Sequence, residues 1–222
     1  MITLEDNSYD IYGLPHSPDY RSRYADNLGK ELPSIPAVKT YKDFRAFSQA
    51  GRDLAHWHLD YETVECFPGV TVAMGKEEGP YCPSLPADGK RENSHEDVTI
   101  RSRLLNADYR VTKMKFAKRK DPETGKSVND KTTVIYNGFI TLKNIPLEAN
   151  DYIVNGKPDL EWVMERQSVT TDKDSGITND ANLWATETMG NARYPLELFL
   201  RVITVSLETM KIVNGLPGLE IE

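Results

Sequence analysis

The chain has 222 residues, which is enough for one substantial hydrophobic core or two small lobes. Hydrophobic residues make up 39% of the sequence and charged residues 27%, the ordinary composition of a globular protein, so neither a repeat array nor a disordered tail is needed. The net charge of -7 argues against unspecific electrostatic binding to nucleic acid, because that mode depends on many Lys and Arg side chains.

The first residues do not resemble a targeting segment. Residues 1–6 carry acids where a secretory signal would carry basic residues and then an apolar run, and no stretch approaches the roughly 18 apolar residues that span a bilayer. Cys66 and Cys82 are too few for a disulfide framework, so we expect reduced thiols, although a single bridge stays open. The sequence therefore predicts a cytoplasmic protein without a membrane partner.

Two helices are predicted in the first part of the chain. Ser17 can cap free amides, Pro18 suits the first helical position and Asp19 complements the positive end of a helix dipole. This helix should end before Pro33. A second helix over residues 40–59 carries apolar side chains at helical spacing, which predicts an element that packs on the core.

The pattern changes after the second helix. Val70, Val72 and Met74 alternate like a short strand, and residues 75–97 read as a polar loop rich in Gly and Pro. The weakest boundary of the chain lies in this region. We therefore expect up to two lobes.

The expected lobes are a helical one, residues 1–66, and a mixed one, residues 67–222. In the second lobe, a helix should open at Pro158 and Asp159. Residues 194–213 predict a long C-terminal helix that is apolar nearly all round, so it is either central to the core or covered by a partner.

The most basic stretch of the sequence is residues 101–120, which has a single acid, Asp108. Alternation predicts strands at 109–119 and 131–143, joined by the turn-rich residues 121–126, and therefore a basic hairpin. The cationic residues of this stretch are Arg101, Arg103, Arg110, Lys113, Lys115, Lys118, Arg119 and Lys120.

Alternation along the first strand places three side chains on each face: Thr112, Met114 and Phe116 on one, and Val111, Lys113 and Lys115 on the other. The lysines should then line a solvent side. An exposed two-stranded ribbon fits a DNA major groove, and long cationic side chains reach phosphates or guanine edges. The eight cationic residues are candidate DNA contacts, and the alternative is an ordinary solvated face.

Signatures of catalysis and of metal binding are weak. The sequence has no phosphate loop ending in Gly-Lys-Ser or Gly-Lys-Thr, no Gly-x-Ser-x-Gly and no His-Glu-x-x-His. Residues 172–176 resemble a calcium loop with its Gly one position early, so a turn capped by Asp and Ser side chains is favoured. Zinc-type residues occur with poor spacing, which favours a structural role, at four positions: His56, His58, Cys66 and Cys82.

Three blocks, in order along nearly the whole chain, carry a resemblance to a known family. The first covers residues 11–36 and includes Ile11-Tyr12-Gly13-Leu14-Pro15-His16-Ser17-Pro18-Asp19. The second covers residues 152–180 and ends Asp174-Ser175-Gly176-Ile177-Thr178-Asn179-Asp180. The third includes Ile212-Val213-Asn214-Gly215-Leu216-Pro217. Together they are similar to the C-terminal specificity region of type ISP restriction-modification enzymes, single chains that are often labelled helicases.

The resemblance implies a parent chain with a nuclease, a helicase-like ATPase that translocates on DNA, an adenine N6-methyltransferase and this region. The helicase nucleotide loop and the Asn-Pro-Pro-Tyr type motif of the methyltransferase are absent from the sequence. We therefore expect a non-catalytic piece without cofactors, whereas ATP, Mg and S-adenosylmethionine are implied for the parent. The implied fold is α+β, with helices packed beside a small sheet, and it clamps double-stranded DNA against the methyltransferase.

Two functions follow. The first is a DNA-binding target-recognition module, in which residues 101–120 lie between the matching blocks, where a variable reading element could sit. The alternative is an interaction or scaffolding module, in which the apolar surface of residues 194–213 docks on the methyltransferase and other domains, helicase included, of the parent. Exposed apolar area on that helix would favour the alternative. An independent enzyme, such as a nuclease, ranks a distant third.

Overall fold

The structure is a computed structural model, and it describes residues 2–74, 77–81 and 106–221. The fold is α+β with a small antiparallel sheet and a long C-terminal helix, which confirms the expected class. Two compact units divide the chain: Met1–Val64 with Leu207–Glu222, here called the helical unit, and Glu65–Ser206, called the mixed unit. The expected division lay between residues 66 and 67, with the C-terminal residues in the second lobe.

The helical unit begins with α1 (Leu4–Gly13), α2 (Pro18–Arg23), α3 (Ala25–Leu28) and α4 (Tyr41–Leu59). The Ser17 hydroxyl accepts a hydrogen bond from the Tyr20 amide at 3.5 Å, so the predicted cap is confirmed. The helical segment ends at Leu28, before Pro33 as predicted, but it is not the single helix that was expected, because the backbone breaks at Tyr24.

Helices α1 and α4 pack with their backbones nearly in contact. A Cβ atom added at Gly51 would lie 1.9 Å from the carbonyl oxygen of Tyr9, and one added at Gly13 would lie 2.3 Å from that of Phe47. Glycine at both positions is what permits this approach. Leu14, Tyr20 and Phe47 form the buried core beside the crossing.

The sheet of the mixed unit is antiparallel, with the strand order β2-β1-β5-β4-β3. Its strands are β1 (Thr71–Met74), β2 (Glu77–Pro80), β3 (Lys115–Lys120), β4 (Ser127–Ile135) and β5 (Thr141–Lys143). The predicted strand around Val72 is confirmed. The single strand predicted over 131–143 was wrong, because a turn held by the Asn137 side chain separates β4 from β5.

Short elements and a long helix follow the sheet. The hairpin of β6 (Ile153–Val154) and β7 (Lys157–Pro158) turns at Asn155 and Gly156, whose φ angles of 48° and 85° are both positive, as a type I′ turn requires. Next come α5 (Asp159–Arg166), β8 (Thr170–Thr171), β9 (Thr178–Asn179), α6 (Ala181–Leu183) with a π-helical turn (Trp184–Thr188), and α7 (Tyr194–Asn214).

The helix predicted to open at Pro158 and Asp159 and the helix predicted over 194–213 are confirmed as α5 and α7. Leu196, Phe199, Leu200 and Ile203 of α7 are completely buried, so this helix is central to the core. Within the part of the chain that the structure describes, no helix combines the length and the apolar character that crossing a membrane requires.

Candidate nucleic-acid interface

The basic hairpin is present, but its strands differ from the predicted ones. Residues 106–109 form a 3₁₀ turn, residues 110–114 follow as a loop, and pairing starts only at Lys115. Four of the candidate contacts lie on β3, and two precede it in the loop. Arg101 and Arg103 lie outside the described residues. The candidates on β3 are Lys115, Lys118, Arg119 and Lys120, and those in the loop are Arg110 and Lys113.

The predicted division of faces holds for only part of this segment. Met114 and Phe116 are buried, and Lys113 and Lys115 are exposed, as the alternation predicts. Val111 was expected beside the lysines but is completely buried, and Thr112 is exposed. The alternation fails there because residues 110–114 do not form a strand.

A side-chain clamp explains why Val111 turns inward. The Asn182 side chain accepts from the Val111 amide at 2.8 Å and donates to the Val111 carbonyl at 2.7 Å, so it pairs with both backbone groups of that residue much as a neighbouring strand would. Arg110, one residue earlier, forms an ion pair with Asp180. Asn137 donates to the carbonyl oxygen of Arg110 at 3.0 Å. The loop that carries Arg110 is therefore held from two sides.

An irregularity in the β3/β4 pairing sets off the outer part of the hairpin. The register shifts between Phe116, opposite Val134, and Ala117, opposite Asp130. Such bulges bend and twist a hairpin and are common beside functional surfaces. Beyond the shift, residues 117–130 form the outer part of the hairpin, which we call the basic ribbon because Lys118, Arg119 and Lys120 of β3 are exposed there.

Residues that lie opposite each other in this ribbon point to the same face of the hairpin, so the register shows which face each cation occupies. Lys118 lies opposite Asn129 and donates to its side-chain oxygen at 2.6 Å. Arg119 lies opposite Val128 and therefore faces the other way. The pKa of Asp130 is lowered, mainly by the hydrogen bond from the Thr132 side chain. The positive charge of Arg119 lowers it further.

A cleft of about 770 Å³ lies beside the Lys118 face of the ribbon. The hairpin and the loop before it form one wall, and α5 with the following residues forms the other. Three of the candidate cations line the first wall: Lys113, Lys115 and Lys118. The sequence contained no pattern that joined these lysines to α5, because the two walls are separated along the chain.

The zinc-type residues have structural partners. Both ring nitrogens of His58 are hydrogen-bonded, Nδ1 with the Tyr12 hydroxyl at 2.6 Å and Nε2 with the Thr209 hydroxyl at 2.9 Å. Burial, and then the charge of His16, lowers the pKa of His58 to about 4, so the ring is neutral near pH 7. These contacts agree with the structural role favoured for this residue.

The remaining zinc-type residues lie apart. His56 contacts Asp60 at 3.0 Å, the Cys66 thiol donates to the Glu197 carbonyl at 3.6 Å, and Cys82 lies outside the described residues. Among the residues that the structure describes, no group of three or more His, Cys, Asp or Glu side chains could hold a metal ion.

The segment that resembles a calcium loop is a tight turn between β8 and β9. The Asp172 carboxylate accepts from the amides of Asp174 at 3.1 Å and Ser175 at 2.7 Å, and the Ser175 hydroxyl accepts from the Ile177 amide at 3.3 Å. Gly176 has a φ of 69°, which closes the turn. The predicted turn capped by Asp and Ser side chains is confirmed.

The chain is an α+β protein that exposes a basic ribbon beside a cleft. The family follows from comparison with known proteins. The family model of the Type ISP C-terminal specificity domain matches residues 1–198. The chain belongs to this family, whose members, as specificity domains, are generally non-catalytic. No curated protein matches the chain.

Solved structures of DNA complexes contain similar chains. A nuclease-deletion mutant of the Type ISP restriction-modification enzyme LlaGI, with a DNA substrate mimic, is 37% identical over 100% of this chain and 14% of its own, with a TM-score of 0.70. The ATP-dependent Type ISP restriction-modification enzyme LlaBIII, bound to DNA, is 34% identical, with a TM-score of 0.72. The match covers 100% of this chain and 12% of the LlaBIII chain. The protein of the DrdV-DNA complex is 27% identical, with a TM-score of 0.65. The match covers 99% of this chain and 18% of the DrdV chain.

The chain therefore spans about 14% of the LlaGI chain and 12% of the LlaBIII chain. Its likeness to these proteins covers one region of much longer polypeptides.

Proposed function

We propose that this chain is the DNA-binding target-recognition module of a restriction-modification enzyme and is not catalytic by itself. Membership of the specificity-domain family and likeness to DNA-bound LlaGI and LlaBIII support this function. The observation that carries it is the concentration of exposed cations on one hairpin of a chain whose net charge is -7. When the cations of an acidic protein are concentrated on one surface, that surface is the one suited to bind a polyanion such as DNA.

The proposed contacts are the exposed cations of the hairpin and of the loop before it. Lys113 and Lys115 present long, mobile side chains that suit phosphates, whereas Arg119 can form the bidentate contacts that read guanine. Arg110 is paired with Asp180, so DNA would have to compete for its guanidinium. Arg101 and Arg103 stay candidates from their place in the basic stretch alone.

The remaining domains of a longer enzyme would complete the function. A parent chain with methyltransferase and helicase domains would supply further phosphate contacts, and tethering would raise the effective concentration of this module at its site. ATP, Mg and S-adenosylmethionine would serve those domains. Weak binding by the isolated chain is thus compatible with the proposal, since the rest of the chain is acidic.

A scaffolding role was expected to use the apolar surface of residues 194–213, but a different surface supports it. Helix α7 is buried, so it has no broad apolar face to offer. Four large apolar side chains between β8 and α7 are exposed instead: Ile177, Leu183, Trp184 and Met189. Aromatic residues and Met are enriched where proteins meet, and π-helical turns like the one that begins at Trp184 often occur at functional sites. This surface would suit a domain of the parent chain.

The function is tested by fluorescence anisotropy with random duplex DNA over a salt series. The test variant changes Lys113, Lys115, Lys118 and Arg119 to Glu. The control variant makes the same charge change at four exposed cations outside the hairpin: Arg23, Lys30, Lys42 and Lys173. We expect salt-sensitive binding by the wild type, about 0.9 log units in affinity per log unit of salt for each phosphate contacted.

Loss of binding in the hairpin variant, with much weaker effects in the control variant, would support the recognition module. Equal losses in the two variants would show that only net charge matters and would remove the hairpin from the proposal. Absence of binding by the wild type even at low salt would favour the scaffolding role. That role predicts self-association or binding to a methyltransferase domain, and it predicts that Trp184→Ala weakens either one.

A further inference from the structure

The cleft beside the basic ribbon has two walls of different chemistry. Lys113, Lys115 and Lys118 line the wall formed by the hairpin and its preceding loop. The wall formed by α5 contributes Glu161 and Glu165. An anionic ligand would therefore lie against the hairpin wall, provided that the two carboxylates do not repel it.

Both carboxylates of the opposite wall are already paired. Glu161 contacts the Lys131 ammonium at 3.6 Å, and Glu165 forms an ion pair with Lys157. The Lys157 ammonium also lies 3.7 Å from the centre of the Trp162 ring, which helps to hold it in place. The negative charge of this wall is thus largely compensated, whereas Lys113 and Lys115 carry no ion pair among the described residues.

The floor of the cleft is apolar. Met114 and Phe116 reach it from the hairpin side and Met164 reaches it from α5, and all three side chains are mostly buried. A floor of this kind favours a ligand with an apolar body beside its charge. The sugar-phosphate backbone of DNA has this character, because an apolar deoxyribose separates successive phosphates.

The size of the cleft limits what it can hold. Its volume of about 770 Å³ lies in the range of pockets that enclose a small molecule, roughly 300–1,000 Å³. The full width of a duplex does not fit, whereas a short stretch of one strand does. Lys118 and Asn129, which face the same way across the hairpin, both line the cleft.

We propose that the cleft between the basic hairpin, with its preceding loop, and α5 holds the sugar-phosphate backbone of one DNA strand, with Lys113, Lys115 and Lys118 on its phosphates. The proposal rests on the proposed function and makes it specific. Only the cations that line the cleft bind the backbone, and α5 is the second half of the site. The cations that lie outside the cleft lining, such as Lys120 and Lys126, then matter much less.

Two charge-matched double variants test which cations bind. Lys115→Ala with Lys118→Ala removes two charges from the cleft wall, and Lys120→Ala with Lys126→Ala removes two charges from the same hairpin outside it. In anisotropy with a random duplex at low salt, we expect the first pair to bind about tenfold more weakly and to lower the salt slope by about 1.8. The second pair should change the affinity less than about threefold.

A variant that fills the cleft without a change of charge provides a second test. Thr170 is exposed and lines the cleft, whereas its neighbour Thr171 does not, although both belong to β8. Thr170→Trp should reduce affinity about tenfold, and Thr171→Trp should leave it near the wild-type value. Circular dichroism confirms the fold of each variant.

Equal effects of the two lysine pairs, or wild-type affinity in Thr170→Trp, would overturn the cleft as the binding site. Binding by the wild type would in either case leave the proposed function standing. If the wild type itself did not bind DNA, the proposed function would fail, and this inference would fail with it.

Discussion

Asn182 is a buried side chain that connects two distant parts of the mixed unit. Besides the backbone N–H and C=O of Val111, it contacts the Asp180 carboxylate, to which it donates at 2.6 Å. A side chain that satisfies a buried amide and a buried carbonyl together is hard to replace, because each group left unpaired costs about 1–3 kcal/mol.

We therefore predict that Asn182→Ala lowers the free energy of unfolding by about 2–4 kcal/mol. Urea denaturation, monitored by circular dichroism, measures the change. Asn179→Ala is the control, since Asn179 is exposed and makes only a 3.5 Å contact, and it should cost less than about 0.5 kcal/mol. A cost below 0.5 kcal/mol for Asn182→Ala would contradict the clamp.

Asp159 is a half-buried residue of the same unit, and its carboxyl group contacts the Ser206 hydroxyl. The Ser206 hydroxyl has one proton but two oxygen partners, Asp159 Oδ2 at 2.6 Å and the Val202 carbonyl at 2.7 Å. The ionised Asp159 carboxylate accepts from Ser206, whereas a protonated Asp159 carboxyl can donate to Ser206 and leave the Ser206 proton for the Val202 carbonyl. Burial raises the pKa of Asp159 to about 7, which makes this protonated form accessible near neutral pH.

The raised pKa predicts how stability depends on pH. The unfolded carboxyl, with its ordinary pKa of 3.8, releases its proton first as pH rises, so the contribution of Asp159 is present below about pH 4 and is lost between pH 4 and pH 7. Asp159→Asn imitates the protonated form at every pH. We expect the variant to match the wild type near pH 4 and to exceed its unfolding free energy by about 1–4 kcal/mol at pH 8.

Urea titrations at the two pH values measure this difference, with the exposed Asp151→Asn as control. A lower stability of Asp159→Asn than of the wild type at pH 8 would mean that the ionised carboxylate is stabilising and that Ser206 donates to it.

At the scale of the elements, the contact of α1 with α4 depends on two glycines. Alanine in place of glycine within a helix usually stabilises it by about 0.5–1 kcal/mol. At Gly51 the added Cβ would meet the backbone of Tyr9 at 1.9 Å, and backbone yields far less readily than a flexible side chain. The two helices would have to move apart.

We predict that Gly51→Ala destabilises the protein by about 1–3 kcal/mol, the usual cost of overpacking, in spite of the gain in helix propensity. Thermal denaturation measures the effect. Gly29→Ala is the matched control, because nothing lies within 4 Å of a Cβ at that position, and it should be neutral or stabilising. A stable Gly51→Ala variant would show that the two helices do not pack as closely as described.

Helix α1 also shows what the sequence could not predict. Its buried positions are Asp6, Asp10 and Gly13, so no apolar stripe indicates a helix, and none was predicted there. The Asp6 carboxylate is buried because Arg45 and Arg52 of α4 bind it at 3.0 and 2.9 Å. A buried face built from acids becomes visible only when its distant cationic partners are known.

In the basic hairpin too, features that depend on neighbouring residues could be predicted, and features that depend on distant residues could not. Composition predicted its place in the chain and the exposure of Lys113 and Lys115, because those depend on neighbouring residues. Its strand boundaries, the burial of Val111 and the α5 wall of the cleft could not be predicted. They depend on Asn182 and on residues of α5 that lie far along the chain.

At the scale of the whole molecule, the chain returns to its first unit at its end. Residues from Leu207 on belong to the helical unit, although α7 begins in the mixed unit. Past α7, the Lys39 amide donates to the Glu220 carbonyl at 2.9 Å, and the Leu219 amide donates to the Asp19 carboxylate at 2.9 Å. The expected lobes placed these last residues in the second lobe, since no local pattern shows which distant segment a chain end will join.

The C-terminal segment also covers the core of the helical unit. Leu216 and Leu219 pack against the buried cluster of Leu14, Tyr20 and Phe47. We predict that deletion of residues 216–222 lowers hydrogen-exchange protection across α1 and α4, because it exposes apolar surface and removes the contacts to Lys39 and Asp19. Exchange mass spectrometry measures protection element by element, and the strands β1, β4 and β5 should keep theirs.

The double variant Leu216→Ala with Leu219→Ala separates packing from backbone pairing, since it keeps the Lys39 and Asp19 contacts while it removes apolar burial. We expect it to lose part of the protection in α1 and α4, by about 1–3 kcal/mol for the two partly buried side chains. Equal loss of protection in the helical unit and in the sheet would mean that the two units unfold as one. Loss confined to the helical unit would show that the end of the chain stabilises the unit in which the chain begins.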